Sequence, residues 1–201
     1  MTIFVGLTGG IATGKSTIVK FLQKKGYKVH DSDLIVNKIY SHPNKKLFTV
    51  LKKIGLSKSI KNKKIDKNVI RDEIFSNKVK KKALEKFIHK EVRISRNLFI
   101  KKHRNKKNKI IFFDIPLLFE AKLTHICHYI ILLYAPKKTK TERALKRNTI
   151  NKKIITKILK NQIDDKTKKM KSDYIINTSK PKKHSFKMIL GVINNILEQN
   201  A

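Results

Sequence analysis

The chain has 201 residues and a hydrophobic fraction of 40%, enough for one domain with its own core and no disulfide support. Its single cysteine, Cys127, excludes an internal disulfide framework and fits a reducing compartment, and no apolar run approaches the roughly 18 residues of a membrane span. The outlying figure is the net charge of +35, from 49 Lys and Arg against 14 Asp and Glu.

Charge alone would suggest a nucleic-acid binder. Arginine, however, occupies only six positions: Arg71, Arg93, Arg96, Arg104, Arg143 and Arg147. Surfaces that read bases or clamp phosphates favour arginine for its bidentate fork. Lys, Ile and Asn are all abundant and share A/T-rich codons, so codon drift accounts for the three excesses together. The lysines are therefore expected over most of the solvent face, with no specific nucleic-acid partner. The opening Met1–Gly6 has neither a basic n-region nor a cleavage site, and a cytoplasmic protein without membrane attachment is expected.

Ile3 to Leu7 is a short apolar run ending in Thr8-Gly9-Gly10, the signature of a buried strand. From Lys15 to about Lys25, Ile18, Val19 and Leu22 fall on one helical face, and Gly26 closes that helix. Tyr27 to His30 reads as a second strand, followed by Asp31-Ser32-Asp33. Between strand and helix lies Gly9-Gly10-Ile11-Ala12-Thr13-Gly14-Lys15-Ser16, which meets the pattern G-x-x-x-x-G-K-[ST] at every fixed position and in the required context. Its glycines let successive N–H groups turn inward onto phosphate oxygens, and the helix dipole adds to them. Lys15 then reaches the β- and γ-phosphates, and the Ser16 hydroxyl can ligate Mg²⁺.

The middle, from about Ser41 to Asn108, has no clear strand and shows helical spacing in Val69, Ile70 and Ile74 and again in Leu84, Phe87 and Ile88. It reads as a helical insertion, ending in the solvated connection Lys101–Lys109. Ile110 to Phe113 is then a strand capped by Asp114, and Tyr129 to Leu133 another. Lys137 to about Lys160 reads as a basic helix, Tyr174-Ile175-Ile176 as a last strand, and Phe186 to Leu197 as a closing amphipathic helix. Strands alternating with helices predict an α/β fold, a parallel sheet covered on both faces.

In order along the chain, these residues resemble the dephospho-CoA kinase family. Val5 to Ile11 with Gly14-Lys15-Ser16-Thr17 is similar to its opening, and Asp31-Ser32-Asp33 to its Asp-x-Asp. Arg71 to Phe75, Leu84 to His89 and Asp114-Ile115-Pro116-Leu117-Leu118-Phe119-Glu120 resemble its internal motifs. Arg143 and Arg147 fall where its lid arginines do, and Gln162 with Ser172 to Asn177 resembles its closing segment. The resemblance implies a P-loop kinase fold, with a five-stranded parallel sheet flanked by helices. It implies one domain over 1–201: a core of 1–40, 109–136 and 172–201, a helical acceptor-binding insertion at 41–108 and a helical lid at 137–171. The implied activity is transfer of phosphate from ATP to the ribose 3′-hydroxyl of dephospho-CoA, with Mg²⁺, by a monomer or weak homo-oligomer. The runner-up acceptor is a nucleoside monophosphate.

The implied ATP site is Gly10, Ile11, Ala12, Thr13, Gly14, Lys15, Ser16, Thr17 and Arg147, with Lys15, Asp33 and Arg143 in catalysis. Acceptor binding falls to Asp31, Asp33, Arg71, His89, Pro116 and Leu117, and metal binding to Ser16 and, through water, Asp114. Each residue also has a plainer reading. Asp31-Ser32-Asp33 can cap the next helix, Asp114 can simply end its strand, Arg143 and Arg147 can be solvated, and His89 can be a buried histidine. His125, Cys127 and His128 have no second cluster at zinc spacing and are not expected to bind metal. Ala12 and Thr13 stand where Gly and Ser are usual, which is harmless if neither needs positive φ. Asn37, Lys67 and Lys168 replace common arginines, and Lys90 a proline; lysine keeps the charge and loses the fork.

Overall fold

A computed structural model describes residues 1–104, 108–146 and 162–201. In chain order the elements are β1 (Ile3–Thr8), α1 (Lys15–Lys24), β2 (Lys28–Asp31), α2 (Ser32–Ser41), α3 (Lys45–Lys53), β3 (Ile60–Lys61), β4 (Lys64–Ile65), α4 (Lys67–Ser76) and α5 (Lys78–His103). There follow β5 (Ile110–Asp114), β6 (Tyr129–Tyr134), α6 (Lys137–Leu145), α7 (Asp165–Met170), β7 (Tyr174–Asn177) and α8 (Lys182–Glu198). They form two compact units, Met1–His30 with His103–Ala201, and Asp31–Lys102.

The first unit holds the five-stranded sheet, in the order β2-β5-β1-β6-β7. β1 runs parallel to β5 and β6, and β6 parallel to β7. Every residue of β5 is buried, as expected of a strand covered on both faces. Val5, Leu7, Phe112, Ile131 and Leu133 form one cluster with Ile18, Val19 and Leu22 of α1 and Ile189, Ile193 and Ile196 of α8. Each such side chain contributes about 2 kcal/mol on burial. On the other side of β1, a Cβ at Gly6 would lie 2.8 Å from Cys127 Sγ and 3.0 Å from Leu118 Cδ1. Cys127 is thus a packing residue. His128 serves the sheet too: its Nδ1 accepts from the Phe4 N–H at 2.9 Å, and its ring stacks on Phe4.

Gly26 terminates α1 with φ 89°. Its N–H donates to the Gln23 carbonyl, and the Tyr27 N–H to that of Leu22, the paired bonds of a Schellman ending. The chain then enters β2. The closing helix α8 starts earlier than its apolar pattern, at Lys182 after Pro181, because proline preorganises a helix start without adding to the periodic signal.

The second unit packs Leu47, Leu51, Leu56, Ile70, Leu84 and Ile88 into a separate core. Asn44 and Asp66 cap α3 and α4 through their side chains. The sequence showed no clear strand here, but β3 and β4 form an antiparallel hairpin. Each is only two residues long, below the reach of any periodicity, and the turn is made by Asn62 and Lys63 at φ 49° and 60°, the left-handed pair that a two-residue hairpin needs. The connection expected from Lys101 is also shorter, since α5 continues to His103.

Candidate active site

The loop after β1 is held from both sides. Thr8 Oγ1 donates to the Pro116 carbonyl at 3.1 Å, joining the end of β1 to the turn after β5. A Cβ at Gly9 would lie 2.5 Å from the Leu133 carbonyl oxygen, so no side chain fits there. Ala12 has φ 57°, so the condition under which alanine is harmless at this position is not met. Its buried methyl packs with Ala144 and Ile11, which offsets part of the left-handed cost. Thr13 Oγ1 folds back onto the Gly10 carbonyl at 2.9 Å. Gly14, at φ 80°, is the N-cap of α1 and supplies no side-chain cap. The first-turn N–H groups of α1 thus have no capping side chain, the arrangement that favours an anion.

Lys15, the first residue of α1, extends to Asp114 at the end of β5: Nζ to Oδ1 is 2.6 Å. Both side chains are largely buried, at 12% and 4% exposed. Ser16, the next residue, is exposed. Neighbouring strand ends β1 and β5 therefore bring together the two groups that the loop motif and the strand-end acid predicted, at the carboxyl edge where open α/β sheets bind ligands.

Arg143 is in the last turn of α6. Its Nη1 donates to Thr178 Oγ1 at 3.3 Å and its Nη2 to the Thr178 carbonyl at 2.6 Å. A Cβ at Gly14 would lie 3.8 Å from Nη1, so the guanidinium sits beside the N-cap of α1. Ala12, Gly14, Thr17, Arg143 and Thr178 line a cavity of about 260 Å³. Arg147 lies outside the described residues.

Two lysines are buried, Lys140, which was expected on the solvated face, and Lys168, which replaces a common arginine. Lys140 Nζ meets Asp165 Oδ2 at 2.6 Å, and Lys168 Nζ meets Glu120 Oε1 at 2.9 Å. Lys168 is 1% exposed. Glu120 Oε1 also accepts from the Ile163 N–H at 3.1 Å, while its buried Oε2 has no hydrogen-bond partner among the described residues. A lysine ammonium is a point charge without the bidentate fork of an arginine. Gln162 Oε1 comes within 3.1 Å of the place a Cβ would take on Gly10, over the loop.

The remaining expected residues belong to the second unit or to the turn after β5. Asp31 caps α2, accepting from the Leu34 N–H at 2.8 Å. Asp33 is exposed in the first turn of α2. Arg71 is exposed on α4 and pairs with Asp72 at 3.2 Å; His89 is exposed on α5, not buried. Two departures from the family pattern meet: Lys67 Nζ donates to Asn37 Oδ1 at 3.3 Å and lies over the Tyr40 ring. Burial raises the Tyr40 hydroxyl above its ordinary pKa. In the turn, Pro116 offers its carbonyl to Thr8, and Leu117 is 45% exposed.

Thr178 went unnoticed in the sequence, along with the partners of Lys140 and Lys168. The only signal for Thr178 was its place directly after the last strand, at the ligand-binding edge of the sheet.

A Walker-type loop on a central strand, with its lysine against the acid of the adjacent strand, defines a P-loop nucleotide-binding protein. The family model for dephospho-CoA kinase matches residues 3–183, and the chain belongs to that family. It is 33% identical over 187 residues to a dephospho-CoA kinase of Fusobacterium nucleatum, covering 93% of this chain and 95% of the relative. The solved structure of a dephospho-CoA kinase from Campylobacter jejuni superposes with a TM-score of 0.73 at 30% identity, over 100% of both chains. A shikimate kinase of Bacteroides thetaiotaomicron, at 11% identity and TM-score 0.52 over 98% of both chains, shares the fold alone.

Proposed function

We propose that the chain transfers the γ-phosphoryl group of ATP to the ribose 3′-hydroxyl of dephospho-CoA, giving coenzyme A and ADP, with Mg²⁺ held by Ser16 and, through water, by Asp114. ATP-dependent phosphorylation of dephospho-CoA is the activity of the family to which it belongs. The observation that carries the finer reading is the 2.6 Å contact of Lys15 with Asp114 at a helix start without a side-chain cap.

The donor set fits magnesium: a serine hydroxyl and a carboxylate are hard oxygen ligands, suited to an ion that keeps several waters. What magnesium supplies when bound is neutralisation of charge on the β- and γ-oxygens. The amides from Gly10 to Thr17 hold the phosphates. Lys15 has three N–H donors, enough for Asp114 and a phosphate oxygen together. The cavity beside Thr17 and Arg143 suits the nucleoside. Arg143 spends two of its five N–H groups on Thr178 and keeps the others for phosphate; Arg147 is assigned the same task by resemblance.

On the acceptor side, Asp33 takes the proton of the ribose hydroxyl. The oxygen bonds to the γ-phosphorus as the bond to the β,γ-bridging oxygen breaks, and ADP leaves. Asp31, Arg71, His89, Pro116 and Leu117 hold the rest of the acceptor. We read the enzyme as cytoplasmic, monomeric or weakly associated, with no specific nucleic-acid partner; no helix among the described residues is long and apolar enough to cross a membrane.

A coupled ADP-release assay offering dephospho-CoA or a nucleoside monophosphate tests this reading. Turnover with dephospho-CoA alone, and a product phosphorylated at the 3′-oxygen by NMR, is expected. Turnover only with the nucleotide would overturn the acceptor; none with either would overturn the whole.

A further inference from the structure

Thr178 is buried and bonds through its N–H, its carbonyl and its hydroxyl. Its N–H donates to the Tyr134 carbonyl at 2.8 Å, extending the β6–β7 ladder by one step. Its hydroxyl has one proton and two carbonyl oxygens in reach, Thr13 at 2.6 Å and Tyr134 at 3.2 Å. The shorter contact assigns the proton to Thr13. The same hydroxyl oxygen accepts from Arg143 Nη1, and the Thr178 carbonyl accepts from Nη2.

One side chain therefore joins the strand end, the inner part of the phosphate loop and the guanidinium. Thr13 continues the chain of bonds to the Gly10 carbonyl. Because Arg143 is gripped at both terminal nitrogens by a single residue, its plane and position follow those of Thr178. Because Thr178 also fixes the Thr13 carbonyl, the loop and the guanidinium cannot drift apart while that hydroxyl is present. Arg143 could reach the Thr178 carbonyl whatever the side chain, so the hydroxyl is what couples it to the loop.

The geometry points to Thr178 as a positioning residue for ATP: it locks Arg143 and the phosphate loop into one preorganised anion site. This rests on the reading of Arg143 and the loop as the ATP site. Thr178 itself does not touch the reacting atoms in this scheme. It acts through Arg143 and through the shape of the loop, so its loss weakens nucleotide binding and leaves acceptor binding alone.

The test compares Thr178→Val, which removes the hydroxyl at constant volume, with Thr178→Ser, which keeps it. Calorimetric titration with ADP and steady-state KM values for ATP and dephospho-CoA are measured on the full chain. Thr178→Val should weaken ADP binding and raise the ATP KM roughly tenfold, the worth of one hydrogen bond to a charged group, with the dephospho-CoA KM unchanged. Thr178→Ser should restore both to within about twofold. In the Arg143→Ala background, adding Thr178→Val should cost clearly less than it does alone, because the coupled partner is already gone. Full additivity of the two substitutions, or parental ADP affinity in folded Thr178→Val, overturns the proposal. A Ser variant as weak as the Val variant does so too. If Thr178→Val does not fold, Thr178→Ser against Thr178→Ala carries the same comparison. Failure of the parent chain itself to bind ADP would instead defeat the ATP-site reading.

Discussion

Lys15 Nζ and Asp114 Oδ1 lie 2.6 Å apart, although 99 residues separate them in the chain. Adjacent parallel strands bring them together: Leu7 of β1 sits in register with Asp114 of β5, and Lys15 opens the helix that follows β1. With 4% exposure, the carboxylate depends on a nearby cation. Lys15→Met should lower the stability of the nucleotide-free protein by about 3 kcal/mol, the range for breaking a largely buried pair. It should also cut kcat by roughly a thousandfold, the scale of losing one preorganised charge contact. Urea unfolding and the ADP-release assay measure the two effects. An unchanged unfolding midpoint would show that the pair contributes nothing in the resting protein.

Gly9 and Gly10 are adjacent and should respond differently to alanine. At Gly9 the new Cβ meets the backbone oxygen of Leu133 at 2.5 Å, whereas at Gly10 its nearest neighbour is the Gln162 side-chain oxygen at 3.1 Å. A flexible side chain can move and a central strand cannot. Gly9→Ala should cost about 3 kcal/mol, the upper end for overpacking, and lose ADP binding. Gly10→Ala should stay folded, and thermal melts with ADP titration separate the two. Comparable losses at both positions would mean that the loop, not the strand, gives way.

Ala12 shows both the reach and the limit of the sequence. The loop motif located the site because its fixed positions encode a backbone path, and the strand patterns before Gly9 and Asp114 placed both on one sheet edge. The φ of 57° at Ala12 was invisible, since alanine ordinarily signals a right-handed conformation. Only the family's usual glycine hinted at it. The methyl contact with Ala144 joins residues 132 positions apart, a pairing that no local pattern carries. Lys140 is hidden for the same reason: in so lysine-rich a chain a buried lysine looks like all the others, and Lys168 stands out only as the replacement of a common arginine, with no sign of its burial. Their carboxylate partners are what distinguish them.

At Ala12 the left-handed backbone costs about 1 kcal/mol, and burial of the methyl returns about 0.8 kcal/mol. Ala12→Gly should therefore change stability by less than about 1 kcal/mol. Ala12→Val should be severely destabilising, because a β-branched side chain is a true outlier at positive φ. Chemical denaturation of the two variants decides it, and a well-folded Val variant with parental ADP affinity would show that the loop can adopt another path.

Glu120 and Lys168 offer a double-mutant cycle. Lys168→Met leaves the Glu120 carboxylate without its cation and should cost about 3 kcal/mol. Adding Glu120→Gln removes the stranded charge, and the amide can still accept from the Ile163 N–H, so the double variant should recover most of that loss. Strict additivity in urea unfolding would show that the two residues act independently, despite their 2.9 Å contact.

Acid should destabilise the protein through a small set of carboxylates. The Val69 N–H, with Lys61 and the Asn68 N–H adding to it, holds Asp66 below the ordinary carboxylate range. The Lys80 ammonium does the same for Glu73, and the hydroxyl and N–H of Thr167 for Asp164. In each case the folded pKa lies below the unfolded one. The associated stability is thus fully present above the unfolded value of about 4 and is lost as pH falls through the lower folded value. Protonation also adds positive charge to a chain already at +35, so self-repulsion acts in the same direction. The urea midpoint should therefore fall steeply below about pH 4. Asp66→Asn with Asp164→Asn keeps both helix caps, because asparagine caps as well as aspartate, while removing two of the titrating groups. This double variant should show a shallower acid slope than the parent at similar stability near neutrality. An identical slope would mean that neither cap carries the acid response.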